Sequence, residues 1–281
     1  MVFERLYTPD YLKQHPAYGF LLGIGYTIIG LFIAIMIFRN DPALIAVGVL
    51  SLLLMPSLFQ ITDSNIILRQ NKPTLLKFLK LTLPNIKVYV TVFFGIFFTF
   101  AIFAIVLPKL AAGHLFKMQL DVLTGHATTF SVALFWDLFT WNLQVLGLSF
   151  VLSLIAGNGA ILFIAWNASV WGTIFGNLAK TGALVSPANP YILFVLIIIS
   201  VFPHTFLEGL SYMLATISGT TLSDGVVKQR FISQEMKTIL KYNLLLLLIA
   251  IGVLALGMLV ETYVLGNFIT YRSIIELAFP R

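Results

Sequence analysis

The amino-acid sequence predicts an all-α, polytopic transmembrane helix bundle with six or seven membrane spans and interfacial amphipathic helices. Hydrophobic residues make up 59% of the 281 residues and charged residues 10%, whereas a soluble domain has about 45–50% and about 25%. The mean hydropathy is +0.98. Too few charges remain to cover a globular surface, so a soluble domain, a disordered chain and a coiled coil are excluded. The chain has no cysteine, which excludes disulfide scaffolds and thiolate chemistry.

Seven apolar runs approach the roughly 20 residues that a membrane-spanning helix needs. The first run is longer than the hydrophobic region of a signal peptide, so we expect it to be retained. The sixth run contains Pro203, which predicts either a kinked crossing or a re-entrant turn. We expect a single domain over 1–281, with spans at about 18–38, 42–61, 89–107, 138–156, 160–178, 191–219 and 242–263.

Two connections between spans are too apolar to be free loops. Segment 74–84 reads TLLKFLKLTLP, with lysines three residues apart and leucines between them. This pattern predicts an interfacial helix from which Lys77 and Lys80 reach towards the headgroups. The segment from Leu107 to Trp136 predicts a short cap on the opposite face. Ordinary amphipathic linkers are the alternative interpretation of both segments.

Basic residues are distributed unequally between the two sides that seven crossings define. Eleven lie in segments on the side of the N-terminus and six on the other side. The positive-inside rule therefore predicts a multi-pass plasma-membrane protein with a cytoplasmic N-terminus. The net charge of +6 fits anionic lipid headgroups, and no Lys/Arg-rich run indicates a nucleic acid. We expect the lipid bilayer as the main partner, with membrane proteins and a second copy of the chain as further candidates.

His204 and Glu208 lie four residues apart in the sixth span, on one face of the predicted helix. Ionisable groups inside a bilayer are costly, which makes this pair the first candidate for a polar site. The pair is interpreted as a structural lock for the kinked helix, a transport or proton-relay site, a partner interface, or two metal ligands. Zinc needs three or four protein ligands and no HExxH pattern is present, so no metal or other cofactor is predicted. Neither a Walker A loop nor a GxSxG elbow occurs, so no catalytic residue is predicted.

Asparagines occur along the fourth and fifth spans. An asparagine amide has two donor hydrogens and two acceptor lone pairs, so in lipid it is expected to bridge helices. Lining of a polar cavity is the alternative. Glu261, near the end of the seventh span, is expected to reach water at the interface. The asparagines are Asn142, Asn158, Asn167 and Asn177.

A row of small residues in the fifth span predicts close helix packing. Gly172 and Gly176 form a GxxxG step, which Ala165 and Ser169 extend towards the N-terminus. The row serves either packing within the chain or contact between subunits.

Three runs of the sequence resemble the stage II sporulation protein M family. WNLQVLGLSFVLSLIAGNGAILFIAWNASVWGTIFGN is similar to its paired-helix core, and the WNASV segment to its archaeal-type members. FPHTFLEGLSYMLATISG is similar to its His-x-x-x-Glu helix, and ERLYTPDYLKQHPAYGFLLG to the N-terminus of archaeal-type members. Two positions depart from the family pattern: Thr205 stands where glycine is frequent, and Trp141–Asn142 where asparagine is doubled.

The resemblance implies a non-enzymatic integral membrane protein that acts as a scaffold or envelope-remodelling component. The positions that it singles out are Asn142, Asn158, Asn167, His204 and Glu208. A channel, transporter or lipid translocator that uses the buried His204 and Glu208 pair is the alternative function. An intramembrane metalloenzyme is a third hypothesis, and it needs a further ligand beside this pair.

Overall fold

The computed structural model of the chain describes residues 8–38, 41–69, 73–121 and 132–267. Within these ranges all regular elements are helices, which confirms the predicted all-α class. The helices are α1 Pro9–Gln14, α2 Ala17–Ile37, α3 Pro42–Gln60, α4 Asn65–Leu68, α5 Leu75–Val106, α6 Lys109–Leu115, α7 Lys117–Asp121, α8 Val132–Ala156, α9 Ile161–Leu184, α10 Pro190–Lys228 and α11 Gln234–Asn267.

Seven of these helices are long and apolar enough to cross a membrane, which confirms the polytopic bundle. They are α2, α3, α5, α8, α9, α10 and α11. The expected cap after the third span begins with the two short helices α6 and α7. The rest of that segment, from 122 to 131, lies outside the described residues.

Helix α5 begins at Leu75, fourteen residues before the predicted third span at 89–107. Segment 74–84, predicted as an interfacial helix, forms its first turns, and the helix continues through Pro84. The hydroxyl oxygen of Thr74 accepts a hydrogen bond from the Lys77 amide and so caps the N-terminus. Pro84 removes one backbone hydrogen-bond donor from the helix. Packing of α5 against both α2 and α9 stabilises the helix by more than this loss. Lys77 and Lys80 are exposed on this extension.

Helix α10 crosses without turning back at Pro203. It is one helix of 39 residues that begins after the Asn189 cap and ends at Lys228. This continuity excludes the re-entrant alternative, and the helix continues beyond the predicted end of the span at 219. The buried hydroxyls of Thr220 and Thr221 donate hydrogen bonds to backbone carbonyls one turn earlier. These polar side chains therefore do not interrupt the helix.

The helices form two groups around α10. One group contains α2, α3, α5 and α9, and the other contains α8 and α11. Because α10 packs against α5, α8, α9 and α11, its side chains are positioned by both groups. It is therefore the helix on which a buried polar site can be assembled.

Close backbone contact joins α9 to α5. A Cβ built on Gly172 would lie 2.3 Å from the Phe97 carbonyl oxygen, and one on Gly176 would lie 2.6 Å from the Ala101 carbonyl oxygen. Real Cβ atoms do not approach so closely, so only glycine fits without displacement of the helices. Ala165 and Ser169 are also fully buried. The glycine step thus packs within the chain.

The Gly172→Ala variant is expected to lower the free energy of unfolding of the detergent-solubilised protein by about 1–3 kcal/mol, because the new methyl group meets a carbonyl of α5. Gly147→Ala is the matched control, since nothing lies within 4 Å of the Cβ position on that helical glycine. It should leave stability unchanged or raise it through helix propensity. Equal loss of stability in both variants, measured by thermal unfolding, would contradict close packing at Gly172.

Candidate functional site

A row of polar residues recurs every fourth position along α10. An i, i+4 row forms a ridge inclined to the helix axis, so successive members face different neighbours. The sequence analysis identified one step of this row, from His204 to Glu208, and did not follow the spacing to its end. The members are Ser200, His204, Glu208, Tyr212, Thr216, Thr220, Asp224 and Lys228.

A hydrogen-bonded cluster joins α8, α10 and α11 around Tyr212, within the candidate spans. The Tyr212 hydroxyl lies 2.6 Å from Asn142 Oδ1 and 3.0 Å from Glu208 Oε1. The amide nitrogen of Asn142 donates to the Leu138 carbonyl at 3.0 Å and contacts Met258 Sδ at 3.1 Å. The structure thus brings together two predicted residues, Asn142 and Glu208, through the hydroxyl of Tyr212.

His204 and Glu261 lie beside this cluster. His204 is buried, and its Nδ1 has no hydrogen-bond partner. Across the described chain no hydrogen bond joins His204 to Glu208, whose partner is Tyr212. Glu261 lies within electrostatic reach of Glu208, and its Oε2 is buried. This carboxyl is therefore part of the buried site, which corrects its expected contact with water.

The approach of α11 to this site depends on Gly257. A Cβ on Gly257 would lie 3.2 Å from Leu207 Cβ, 3.4 Å from the Glu208 nitrogen and 3.5 Å from the His204 carbonyl oxygen. The small residue lets α11 lie against the turn that carries His204 and Glu208. Glu261 follows Gly257 by one helical turn, which places the second carboxyl on the same side of α11.

Asn158 belongs to a separate cluster in the turn between α8 and α9. Its Oδ1 accepts a hydrogen bond from the Tyr89 hydroxyl of α5 and lies 3.4 Å from the Thr220 hydroxyl of α10. Thr220 also lies 3.2 Å from the Gly157 carbonyl oxygen. Asn158 is fully buried, so this cluster fastens the turn to two other helices.

Asn167 contributes to neither cluster. Its amide nitrogen donates to the Phe163 carbonyl of its own helix at 2.9 Å. Asn177 is half-buried on the same helix. The predicted polar site is therefore divided, with Asn142 and Glu208 at one level of the bundle and Asn158 at another.

An ion-pair cluster at the end of α10 was not predicted. Asp224 Oδ2 accepts hydrogen bonds from the Ser64 amide at 2.8 Å and from Lys228 Nζ at 2.9 Å. Asp63 Oδ1 lies 3.2 Å from the same ammonium, and Arg69 lies nearby. The cluster ties the connection after α3 to the last turn of α10.

The pKa of the Asp63 carboxyl reflects this environment. Burial acts to raise the pKa, but the hydrogen bond from the Asn65 amide and the positive charges of Lys228 and Arg69 outweigh it and lower the pKa below the ordinary value. A lowered folded-state pKa means that the carboxylate stabilises the fold above its unfolded-state pKa. That contribution is lost as the pH falls through the lowered value.

In the residues that the structure describes, no three His, Asp or Glu side chains converge to hold a metal ion. A cavity of about 80 Å³ beside α10 is lined by aromatic and aliphatic side chains and by Thr205. Its apolar wall suits hydrocarbon rather than an ion.

The seven long helices and the buried polar ridge define a polytopic membrane protein with internal, hydrogen-bonded polar clusters. Residues 90–264 match the family model described as Stage II sporulation protein M. This match covers more than half of the chain, and the chain belongs to that family. No curated protein matches the chain, and no solved structure does.

The Asp224→Ala variant is expected to lose about 3 kcal/mol of stability, because it leaves the Ser64 amide unpaired and removes one of the two carboxylates beside Lys228. Asp63→Ala is the matched control and should cost under about 1 kcal/mol, since its side chain is more exposed. Unfolding by heat in detergent measures both. A larger loss in Asp63→Ala would contradict the ranking.

Proposed function

We propose that this protein is a non-enzymatic membrane scaffold that holds partner proteins at one face of the bilayer. The observation that carries the proposal is an exposed apolar tip at the end of three helices that extend past the membrane edge. The tip is formed by Val227, Phe231 and Ile232, where α10 passes into α11. Membership of the Stage II sporulation protein M family supports a membrane protein of this kind.

The turn between α8 and α9 marks the membrane edge, because it joins two candidate spans in a few residues. Thr220 contacts this turn at Gly157, so it lies at the same level. Eight further residues of α10, to Lys228, add about 12 Å. The headgroup layer is about 5–7 Å thick on each side. The end of α10 therefore reaches past the headgroups.

Helix α5 extends in the same direction. Tyr89 contacts Asn158 in the α8–α9 turn, and α5 begins at Leu75, about 21 Å before Tyr89. Tyr242 at the base of α11 donates a hydrogen bond to the Pro73 carbonyl, which joins the first turns of α5 to α11. The three helices α5, α10 and α11 thus form one protrusion.

The tip exposes large apolar side chains where lipid does not cover them. Val227 is 83% exposed, Phe231 74% and Ile232 86%. Single exposed apolar residues are ordinary, but a contiguous group at a rigid tip marks an interaction site. Arg230 and Lys237 are exposed around it. The complementary partner is a protein with an apolar groove rimmed by Asp and Glu.

The protrusion is held rigid from two sides. Leu222, Met236 and Ile239 form a small second core between α10 and α11. The Asp224 and Lys228 ion pair fixes the last turn of α10 to the connection after α3. A preorganised tip loses little conformational entropy on binding, which favours a docking role.

The positive-inside pattern supports a cytoplasmic position for the tip and for the N-terminus. The basic residues of α5, Lys77 and Lys80, lie on the same protrusion. Under this proposal the scaffold gathers cytoplasmic domains of envelope-remodelling proteins in the plasma membrane.

A channel, transporter or lipid translocator is the second candidate. The two carboxyls of Glu208 and Glu261 inside the candidate spans favour it, because such groups form many transport sites. A proteoliposome assay for ions and fluorescent lipids separates the two functions. The scaffold predicts no flux in the wild type or in Glu208→Gln, while transport predicts flux that the variant loses.

A photoreactive phenylalanine analogue at position 232 is expected to crosslink one discrete protein in cells, because Ile232 lies at the proposed docking tip. The matched control is position 110, since Leu110 is 90% exposed but belongs to α6, at the other end of α5. Phe231→Asp should abolish the crosslink while the purified protein keeps its thermal stability. Crosslinks to lipid alone, or the same protein from position 110, would contradict docking at the tip.

A further inference from the structure

The Tyr212 hydroxyl has a single proton and lies between two side-chain oxygens. It lies 2.6 Å from Asn142 Oδ1 and 3.0 Å from Glu208 Oε1. A hydroxyl donates one hydrogen bond and accepts through its lone pairs. Only one of the two contacts can therefore use the tyrosine proton.

The orientation of Asn142 decides which contact that is. Its amide nitrogen faces the Leu138 carbonyl at 3.0 Å, and a carbonyl can only accept. The amide oxygen therefore faces Tyr212 and must receive the tyrosine proton over the shorter contact. The contact between Tyr212 and Glu208 then needs a proton on the Glu208 carboxyl, which donates to the tyrosine oxygen.

The surroundings of Glu208 also favour a proton. The carboxyl of Glu261 on α11 lies within electrostatic reach, and its Oε2 is buried without a hydrogen-bond partner. Throughout the described ranges, no Lys or Arg forms a salt bridge with either carboxyl. Two negative charges within electrostatic reach of each other in a low-dielectric medium repel, which favours a proton on one carboxyl of the pair.

On the three helices that meet at the site, no titratable group forms an ion pair with Glu208 or Glu261 within the described residues. On α10, His204 lies one turn before Glu208, and its buried Nδ1 has no partner. On α8, Asp137 is exposed and carries the same sign of charge as the pair. On α11, Glu261 is the facing group.

We infer that Glu208, Tyr212, Asn142 and Glu261 form a binding site for one exchangeable proton, carried by Glu208 at neutral pH. The bound proton completes the hydrogen-bond chain from Glu208 through Tyr212 to Asn142 and so holds α8 against α10. Removal of the proton at alkaline pH leaves two carboxylates within electrostatic reach of each other and breaks the Glu208 contact to Tyr212. The α8 contact with α10 and α11 then loosens.

Infrared spectroscopy of the full chain in nanodiscs tests the protonation state. The wild type should show the carbonyl stretch of a protonated carboxylic acid at neutral pH, and the band should disappear as the pH is raised. The band should be absent in Glu208→Gln and shifted in Tyr212→Phe. Glu235→Gln, which changes an exposed carboxyl at the start of α11, is the matched control and should keep the band.

A distance measurement tests the structural consequence. Because the chain has no cysteine, spin labels can be placed on Leu148→Cys of α8 and Leu256→Cys of α11, both exposed positions. The label separation should increase at alkaline pH in the wild type and stay constant in Glu208→Gln, since the glutamine amide donates to Tyr212 as the protonated acid does. No acid band at neutral pH, a band that remains in Glu208→Gln, or a band set by sodium concentration instead of pH would overturn the proposal.

Discussion

A polar side chain in hydrocarbon must find its hydrogen-bond partners inside the protein. Helix α10 carries a long row of such side chains. Its polar ridge winds around the helix, so each neighbour meets a different part of the ridge. Asn142 of α8 bonds Tyr212, while Tyr89 of α5 and Thr220 meet at Asn158. The positions of α5, α8 and α9 relative to α10 therefore depend on these contacts.

Close contact between helix backbones is the second interaction that holds the helices together. Lipid tails are as apolar as leucine, so apolar side chains alone give little drive for helices to associate. Glycines remove the side chain where α9 meets α5 and where α10 meets α8. At Gly219 a Cβ would lie 2.5 Å from the Phe150 carbonyl oxygen. Such contacts gain dispersion energy over a large area, and they fix the level at which the polar residues of two helices face each other.

The sequence predicted the helices better than it predicted the site. Apolar runs of membrane length identify a span from composition alone, and all seven predicted runs correspond to candidate membrane-spanning helices of the structure. The ends of the helices were harder to predict from the sequence. Pro84 and the serine and threonine residues after Gly219 resemble helix breaks, whereas packing keeps both helices continuous. The partner of Glu208 depends on which helices adjoin α10, and one sequence does not contain that information. The fourfold spacing that includes Tyr212 was nevertheless visible in it.

The two ends of α10 meet opposite physical demands. Around Glu208 the helix places ionisable groups in a low-dielectric medium, which is tolerable only while a proton keeps the charge low. Beyond Thr220 the same helix exposes Val227, next to the ion pair of Lys228 and Asp224. Stability is given up at both places, and such places are where proteins carry function. The proposed scaffold would thus bind a partner at the tip of α10 and a proton beside Glu208.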